Sequence, residues 1–272
     1  MSQSDLVQER FTRTAGQFAS FSHSVRTAEA TQLLEMARAQ IGVDEIRSMR
    51  ALDVACGPGT FTLVFAPHVR QMAGLDITPA ILQKAREAAS KENLNQIEWL
   101  LGNAEKLPWE DATFDLVTTA YSLHHIADAR RAVREIARVL RPGGWFAMVD
   151  IAVPDAPAGQ AAFDAEINNA IEIARDASHV RTFRPAELRE LAASAGLRIA
   201  RGEPGARPRS FDDWMQIAGW KRGDAAYQET RRLMEQNIPH DRSGFAPSRA
   251  ANSPDNDLQW VQASYFLVAQ DG

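Results

Sequence analysis

Short apolar runs alternate with amphipathic helical patterns from Arg50 to Ile151, and this rhythm carries most of the fold prediction. Ala51-Leu52-Asp53-Val54-Ala55 reads as a buried strand ending in Gly and Pro, and Thr60 to Phe65 as a short helix stopped before Pro67. Gln71 to Ile77 predicts a second strand. Thr78-Pro79 then opens a helix whose apolar stripe is Ile81, Leu82, Ala85, Ala88 and Ala89. Ile97 to Leu101 and Phe114 to Thr119 predict strands three and four. Asp128 caps a helix with Ala132, Val133, Ile136, Ala137, Val139 and Leu140 at helical spacing; Pro142-Gly143-Gly144 ends it before a fifth strand, Trp145 to Ile151. Strands separated by helices in this way imply a parallel sheet with right-handed crossovers.

The flanks are less regular. Ser4 to Ser24 carries Phe11, Ala15, Phe18 and Phe21 at spacings of three and four. An amphipathic helix there either packs on the sheet or covers a ligand, and both readings stay open. Downstream, Ala158 to Ala177, Pro185 to Ala195, Phe211 to Trp220 and Ala225 to Gln236 read as helical. Leu197 to Arg201 and Trp260 to Ala269 read as strands, whereas Gly202 to Arg209 and Gly244 to Asp257 read as loops. No internal repeat or low-complexity tract occurs.

Composition narrows the classes without choosing among them. The 272 residues are 45% hydrophobic and 24% charged, with a formal net charge of −5, which argues against broad attraction to nucleic acid. Cys56 is the single cysteine, so neither an intrachain disulfide nor a multi-cysteine metal site can form. No metal is expected. No apolar run approaches the roughly 20 residues needed to span a membrane, and the polar start, Met1 to Arg10, lacks the core of a secretory signal. A cytoplasmic protein is the expectation.

Candidate chemistry begins at the first strand. Gly57 and Gly59 follow it in a Gly-x-Gly turn that presents bare backbone at the carboxyl edge of a parallel sheet. Asp76 closes the next strand, where an acid can accept both hydroxyls of a ribose. As an alternative, Asp76 caps the following helix, but Thr78 is better placed to do so. Two ligand classes remain, dinucleotides and S-adenosylmethionine (SAM). A dinucleotide fingerprint wants a third glycine where Thr62 stands, and Pro58 removes an N–H that a pyrophosphate would use.

Five segments in order resemble the class I SAM-dependent methyltransferases, in particular the small-molecule group of ubiquinone- and menaquinone-biosynthesis type (methyltransferase type 11). They are Leu52 to Gly59, Gly74-Leu75-Asp76, Asn103 to Trp109, Phe114 to Val117, and Arg138 to Gly144. The resemblance implies an α/β, Rossmann-like, seven-stranded, mostly parallel sheet with helices on both faces. It adds an N-terminal helical lid (1–45), a SAM-binding core (46–153), and a substrate-side helical insertion with final strands that complete the same domain (154–272). It further implies cofactor contacts at Phe18, Asp53, Ala55, Gly57, Gly59, Asp76, Ile77, Asn103, Ala104, Glu105 and Ala120. Asn103 departs from the usual aspartate; its amide oxygen can still accept from an adenine amino group, without charge assistance.

Methyl transfer from a sulfonium needs alignment more than acid–base help, so a base is required only when the acceptor must lose a proton. His124 and Tyr121, after strand four, are the candidate catalytic side chains; His125, His179, Arg181 and Trp214 are candidate substrate contacts. For His124, His125 and Trp214 the alternative is packing; His179 and Arg181 would meet an acidic or oxygen-rich acceptor, with a surface ion pair as the alternative for Arg181. The expected function is methyl transfer to an O, N or C atom of a small organic acceptor, releasing S-adenosylhomocysteine (SAH). Alternatives are a SAM-binding protein with another activity or none, and a macromolecular methyltransferase. Oligomeric state is not legible.

Overall fold

The structure, a computed structural model, describes residues 1–158, 160–250 and 257–272. The chain opens with α1 (Gln3–Arg13), α2 (Ala15–Val25), α3 (Thr27–Ile41) and α4 (Val43–Ile46). There follow β1 (Arg50–Val54), α5 (Thr60–Phe65), β2 (Gln71–Asp76), α6 (Pro79–Lys91), β3 (Glu98–Leu101) and β4 (Phe114–Ala120). Next come α7 (Ala129–Val139), β5 (Leu140–Ile151), α8 (Ala165–Arg175) and α9 (Pro185–Ser194). The chain finishes with β6 (Leu197–Ser210), α10 (Phe211–Ile217), α11 (Ala225–Gln236), β7 (Ser248–Arg249) and β8 (Leu258–Asp271).

Among the described residues the strands form one eight-stranded sheet in the order β3-β2-β1-β4-β5-β8-β6, with β7 paired to β8. The first five pair in parallel and β8 runs antiparallel to both β5 and β6. This is the expected Rossmann-like α/β architecture with one short strand more than the seven anticipated. Strand order reverses between β1 and β4, and such a switch point opens a crevice beyond the carboxyl ends of the two strands.

Both sheet faces are covered because β1, β2 and β4 are apolar on both sides. Leu52 and Val54 pack in one cluster with Val133 and Ile136 of α7. Their neighbour Ala51 belongs to another, with Leu33 of α3 and Phe61 and Phe65 of α5. Each fully buried Leu, Phe or Val is worth about 1.5–3 kcal/mol, so the two layers hold the switch point rigidly. A third cluster, built on Phe211, Trp214, Met215, Tyr227 and Trp260, lies under the insertion.

Several expected elements are corrected. The N-terminal segment breaks at Thr14, whose hydroxyl donates to the Arg10 carbonyl and accepts from the Arg10 guanidinium, so two helices stand where one was expected. α8 starts at Ala165, seven residues after the expected Ala158. The turn at Pro142-Gly143-Gly144 lies within β5, in a register shift against β4. Gly202 to Arg209 is not a loop but the second half of β6, paired with β8 throughout. Its prolines are tolerated because β6 is an edge strand. Its glycines make room for the partner: a Cβ at Gly202 would lie 2.1 Å from the Tyr265 hydroxyl, and one at Gly205 2.5 Å from Ser264 Oγ. The expected loop from Gly244 to Asp257 contains β7; its residues 251–256 lie outside the described residues.

Candidate active site

A cavity of about 910 Å³ fills the crevice at the switch point. Its floor is the turn after β1, where Ala55 and Gly57 both have φ of 55° and line the cavity. A non-glycine residue at positive φ is strained, and such strain persists where surrounding structure holds it. Here the Cys56 N–H donates to the Leu75 carbonyl (2.9 Å) and the Gly57 N–H to Asp76 Oδ2 (2.9 Å), which ties the turn to the end of β2. Asp76 Oδ1 accepts from the Thr78 N–H at 2.8 Å. Burial raises the Asp76 carboxyl above its ordinary range, against these donors. Asp76 lines the cavity, and each of its carboxylate oxygens can accept a further bond, as a diol ligand requires. Ile77, Asn103, Ala104, Glu105 and Ala120 line the same space.

Four details differ from expectation. Asp53 does not line the cavity: its carboxylate is enclosed by the hydroxyls of Thr62 (2.6 Å) and Thr118 (2.9 Å), and it braces β1 against α5 and β4. Burial raises its carboxyl to about 6, partly opposed by those two hydroxyls. Gly59 also faces away, with φ of 88°; a Cβ there would meet Trp99 at 2.9 Å and Ala85 at 3.2 Å, so it serves helix–strand packing. Thr78 makes no side-chain cap; the backbone N–H at that position is held by Asp76 itself. Asn103 Oδ1 already accepts from the Glu105 N–H at 2.8 Å, which leaves its second lone pair and the amide nitrogen for a ligand.

The N-terminal helices roof this cavity. Gln3, Val7 and Phe11 of α1 and Phe18 and Ser22 of α2 line it. Phe11 and Phe18 pack edge to face at 4.9 Å. Polar bonds pin the roof at its corners: Gln8 Nε2 donates to the Ile77 carbonyl (2.9 Å), and Gln3 Nε2 to the His125 carbonyl (3.0 Å). Arg10 forms a buried ion pair with Asp176 at 2.8 Å. Burial alone would raise the Asp176 carboxyl; the Arg10 guanidinium holds it well below the usual carboxylate range instead.

A second cavity, about 490 Å³, adjoins the first, and Phe11, Phe18, Arg26, Tyr121 and His125 line both. Tyr121 stands at the junction with φ of 52°, held by its N–H to the Val149 carbonyl (2.8 Å). Burial pushes its hydroxyl well above the ordinary tyrosine range, so it is a neutral wall and hydrogen-bonding group. His124 borders the second cavity with Nδ1 2.5 Å from Asp150 Oδ1; Asp150 Oδ2 accepts from the Leu123 N–H at 2.7 Å. Its Nε2 has no partner among the described residues. Burial, reinforced by His124, lowers His125 to about 3, so it is neutral; its Nδ1 lies 3.0 Å from the Ser178 carbonyl.

Trp214 lines the second cavity, whereas His179 and Arg181 do not. His179 is buried behind the other two histidines, with Nε2 3.2 Å from Asn169 Oδ1. Arg181 sits on the surface, ion-paired with Glu187 and stacked on Phe183. Sequence reading missed Arg26, Asp150, Arg175 and Arg209. Only Asp150 left a local signal, an acid interrupting the apolar end of β5 (Met148-Val149-Asp150-Ile151).

Comparison with known proteins agrees with this geometry. Residues 52–148 match the family model described as "Methyltransferase domain". The chain is 33% identical over 170 residues to "Uncharacterized methyltransferase YcgJ" of Bacillus subtilis, covering 62% of this chain and 65% of that one. It is 33% identical over 122 residues to a "Demethylmenaquinone methyltransferase" of Listeria monocytogenes, covering 44% of this chain and 52% of that one. It thus spans about half to two thirds of the length of these curated relatives. The crystal structure of the YcgJ protein superposes with a TM-score of 0.76 at 25% identity, covering 89% of this chain and 98% of that one. The glycine turn and Asp76 therefore lie within the segment that matches a methyltransferase domain, and the chain is similar to methyltransferases that include one of the menaquinone-biosynthesis type.

Proposed function

We propose that the protein transfers the methyl group of SAM to an O, N or C atom of a small organic acceptor. One observation carries this reading: a donor-sized cavity and a smaller cavity beside it meet at Tyr121 and His125. Asp76 would hold the ribose hydroxyls, the bare backbone at Gly57 the amino-acid portion, and the Asn103–Glu105 loop the adenine. When bound there, SAM supplies a methyl carbon activated by its positive sulfonium. Phe11 and Phe18 exclude water from above. The second cavity orients the acceptor for in-line attack, which is where most of the rate advantage arises.

His124 takes the acceptor's proton. Because the Asp150 carboxylate accepts from Nδ1–H, the lone pair stands on Nε2 beside the second cavity. As the acceptor–methyl bond forms and the carbon–sulfur bond breaks, the acceptor's proton passes to Nε2 and the sulfur keeps the electron pair. A cavity walled by Phe11, Phe18, Tyr121 and Trp214 under the roof helices supports a small acceptor over a macromolecular one.

Thermal unfolding with SAM, SAH and NAD tests the donor. Ligand at about 100 times its Kd stabilises by roughly 2.7 kcal/mol, and we expect SAM and SAH to raise the Tm by about 5–10 °C. Stabilisation by NAD alone would end the reading. Labelled-methyl transfer from SAM to a metabolite extract then tests catalysis; binding without transfer to any extract component would leave a non-catalytic SAM binder.

A further inference from the structure

Four arginines line the second cavity against two carboxylates. Arg10 is paired with Asp176 at 2.8 Å, and Arg175 with Glu172 at 3.6 Å. Among the described residues neither Arg209 nor Arg26 forms an ion pair, and the Glu29 carboxylate, whose charge reaches both, is itself paired with Arg207 at 3.4 Å. Arg209 donates from Nη1 to Gln262 Oε1 at 2.8 Å, and its guanidinium lies 4.6 Å from the Phe21 ring. The Arg26 guanidinium has no acceptor among the described residues; it is stacked 3.8 Å from the Tyr121 ring, 5.5 Å from Phe21 and 5.8 Å from Phe18. Aromatic faces attract a cation but accept none of the five in-plane N–H bonds that a guanidinium offers. Two partly enclosed cations are left with donors unused.

Unused donors in an enclosed space cost free energy unless a ligand satisfies them. Like charges placed together add to that cost. Arg209 is depressed to about 10, first by burial and then by Arg26 and Arg175. An oxyanion between the two guanidiniums would remove both penalties, and planar forks of this kind match carboxylate and phosphate geometry. Apolar side chains of Phe18, Phe21, Ile151, Trp214 and Ile217 share the remaining wall with His124, His125 and Gln262.

We propose that the methyl acceptor is an organic anion, an apolar body carrying a carboxylate or phosphate that Arg209 and Arg26 clamp while its nucleophilic atom lies beside His124. The proposal rests on the donor reading above. Access for such a ligand is separate from the donor site. An open groove lined by Ser20, Ser24 and Asp213 shares Phe21 and Arg209 with the second cavity, so the arginine that anchors the anion also borders solvent.

The test is calorimetric titration of benzoate, phenyl phosphate and uncharged benzamide into the full chain saturated with SAH. We expect at least one of the two anions to bind at least about ten-fold more tightly than benzamide, one charge-assisted contact being worth that factor. Arg209→Gln is expected to weaken anion binding by about ten-fold or more while SAH affinity stays within about two-fold; Arg209→Lys, which keeps the charge, should recover part of the loss. Equal binding of benzoate, phenyl phosphate and benzamide, or anion affinity unchanged in Arg209→Gln, overturns the proposal. Arg26→Gln that weakens SAH but not the anions gives that guanidinium to the donor and overturns the clamp. Failure of SAH to bind the wild type removes the donor reading itself, whereas SAH binding without anion preference removes only this inference.

Discussion

Asp53 and Asp76 end neighbouring strands, and their different surroundings give them different work. Asp53 is closed in by two threonine hydroxyls, and burial raises its carboxyl to about 6 from an ordinary 3.8. Between those values the folded protein keeps a proton that the unfolded chain has released. Its contribution to stability is therefore full below about 3.8 and is lost as pH rises through 6. Asp53→Asn, which stays neutral, should flatten that fall; urea unfolding from pH 4 to 7 measures it, and an equally steep fall in the variant would place the loss elsewhere. His124→Ala should lower kcat by about 10²–10⁴-fold without changing SAH affinity, the usual worth of a positioned base. Asp150→Asn should act in the same direction by allowing the wrong imidazole tautomer. Wild-type turnover in His124→Ala would make it a packing residue. Residue types and spacing named Asp76 and His124, but they also named Asp53 and Gly59, because a strand-end motif does not reveal which side chain turns toward the ligand.

α1 is the element on which enclosure depends. It touches the first cavity through Gln3, Val7 and Phe11, and the insertion through Arg10 and Asp176. Arg10→Ala leaves Asp176 buried without its cation and should cost about 3–5 kcal/mol, read from denaturant midpoints. Hydrogen exchange should then rise in α1 and α2, and SAH should dissociate faster; a variant matching wild type in both would show that the pair does not fasten the roof. Periodicity found the helices because an amphipathic stripe is written within a dozen residues. β6 escaped it. Prolines and glycines there suit an edge strand only because β8, more than 50 residues downstream, places Tyr265, Ser264 and Phe266 against them.

Across the whole molecule the two cavities share the roof. Phe11, Phe18 and Arg26 line both, so a ligand that orders the roof over one cavity prepares the wall of the other. Benzoate or phenyl phosphate should bind more tightly to the SAH complex than to the free protein, by about 5-fold or more, and SAH should gain by the same factor from the anion. Calorimetry in both orders checks it; equal affinities would mean the roof is already set.

The sequence by itself determined the parallel core, the glycine turn and the acid Asp76 at the end of the second strand, and these pointed to a donor of the SAM type. Each is written in contiguous residues, where strand, turn and helix preferences act over one or two turns of chain. Tertiary structure alone decided which carboxylate lines the first cavity, where the roof breaks, and that an arginine-rich chamber stands beside that cavity. Arg26, Asp150 and Arg209 come from α2's end, β5 and β6, and only the insertion of β8 between β5 and β6 brings the last two to one edge of the sheet. Such long-range pairing depends on side-chain fit between distant segments, which no local pattern records.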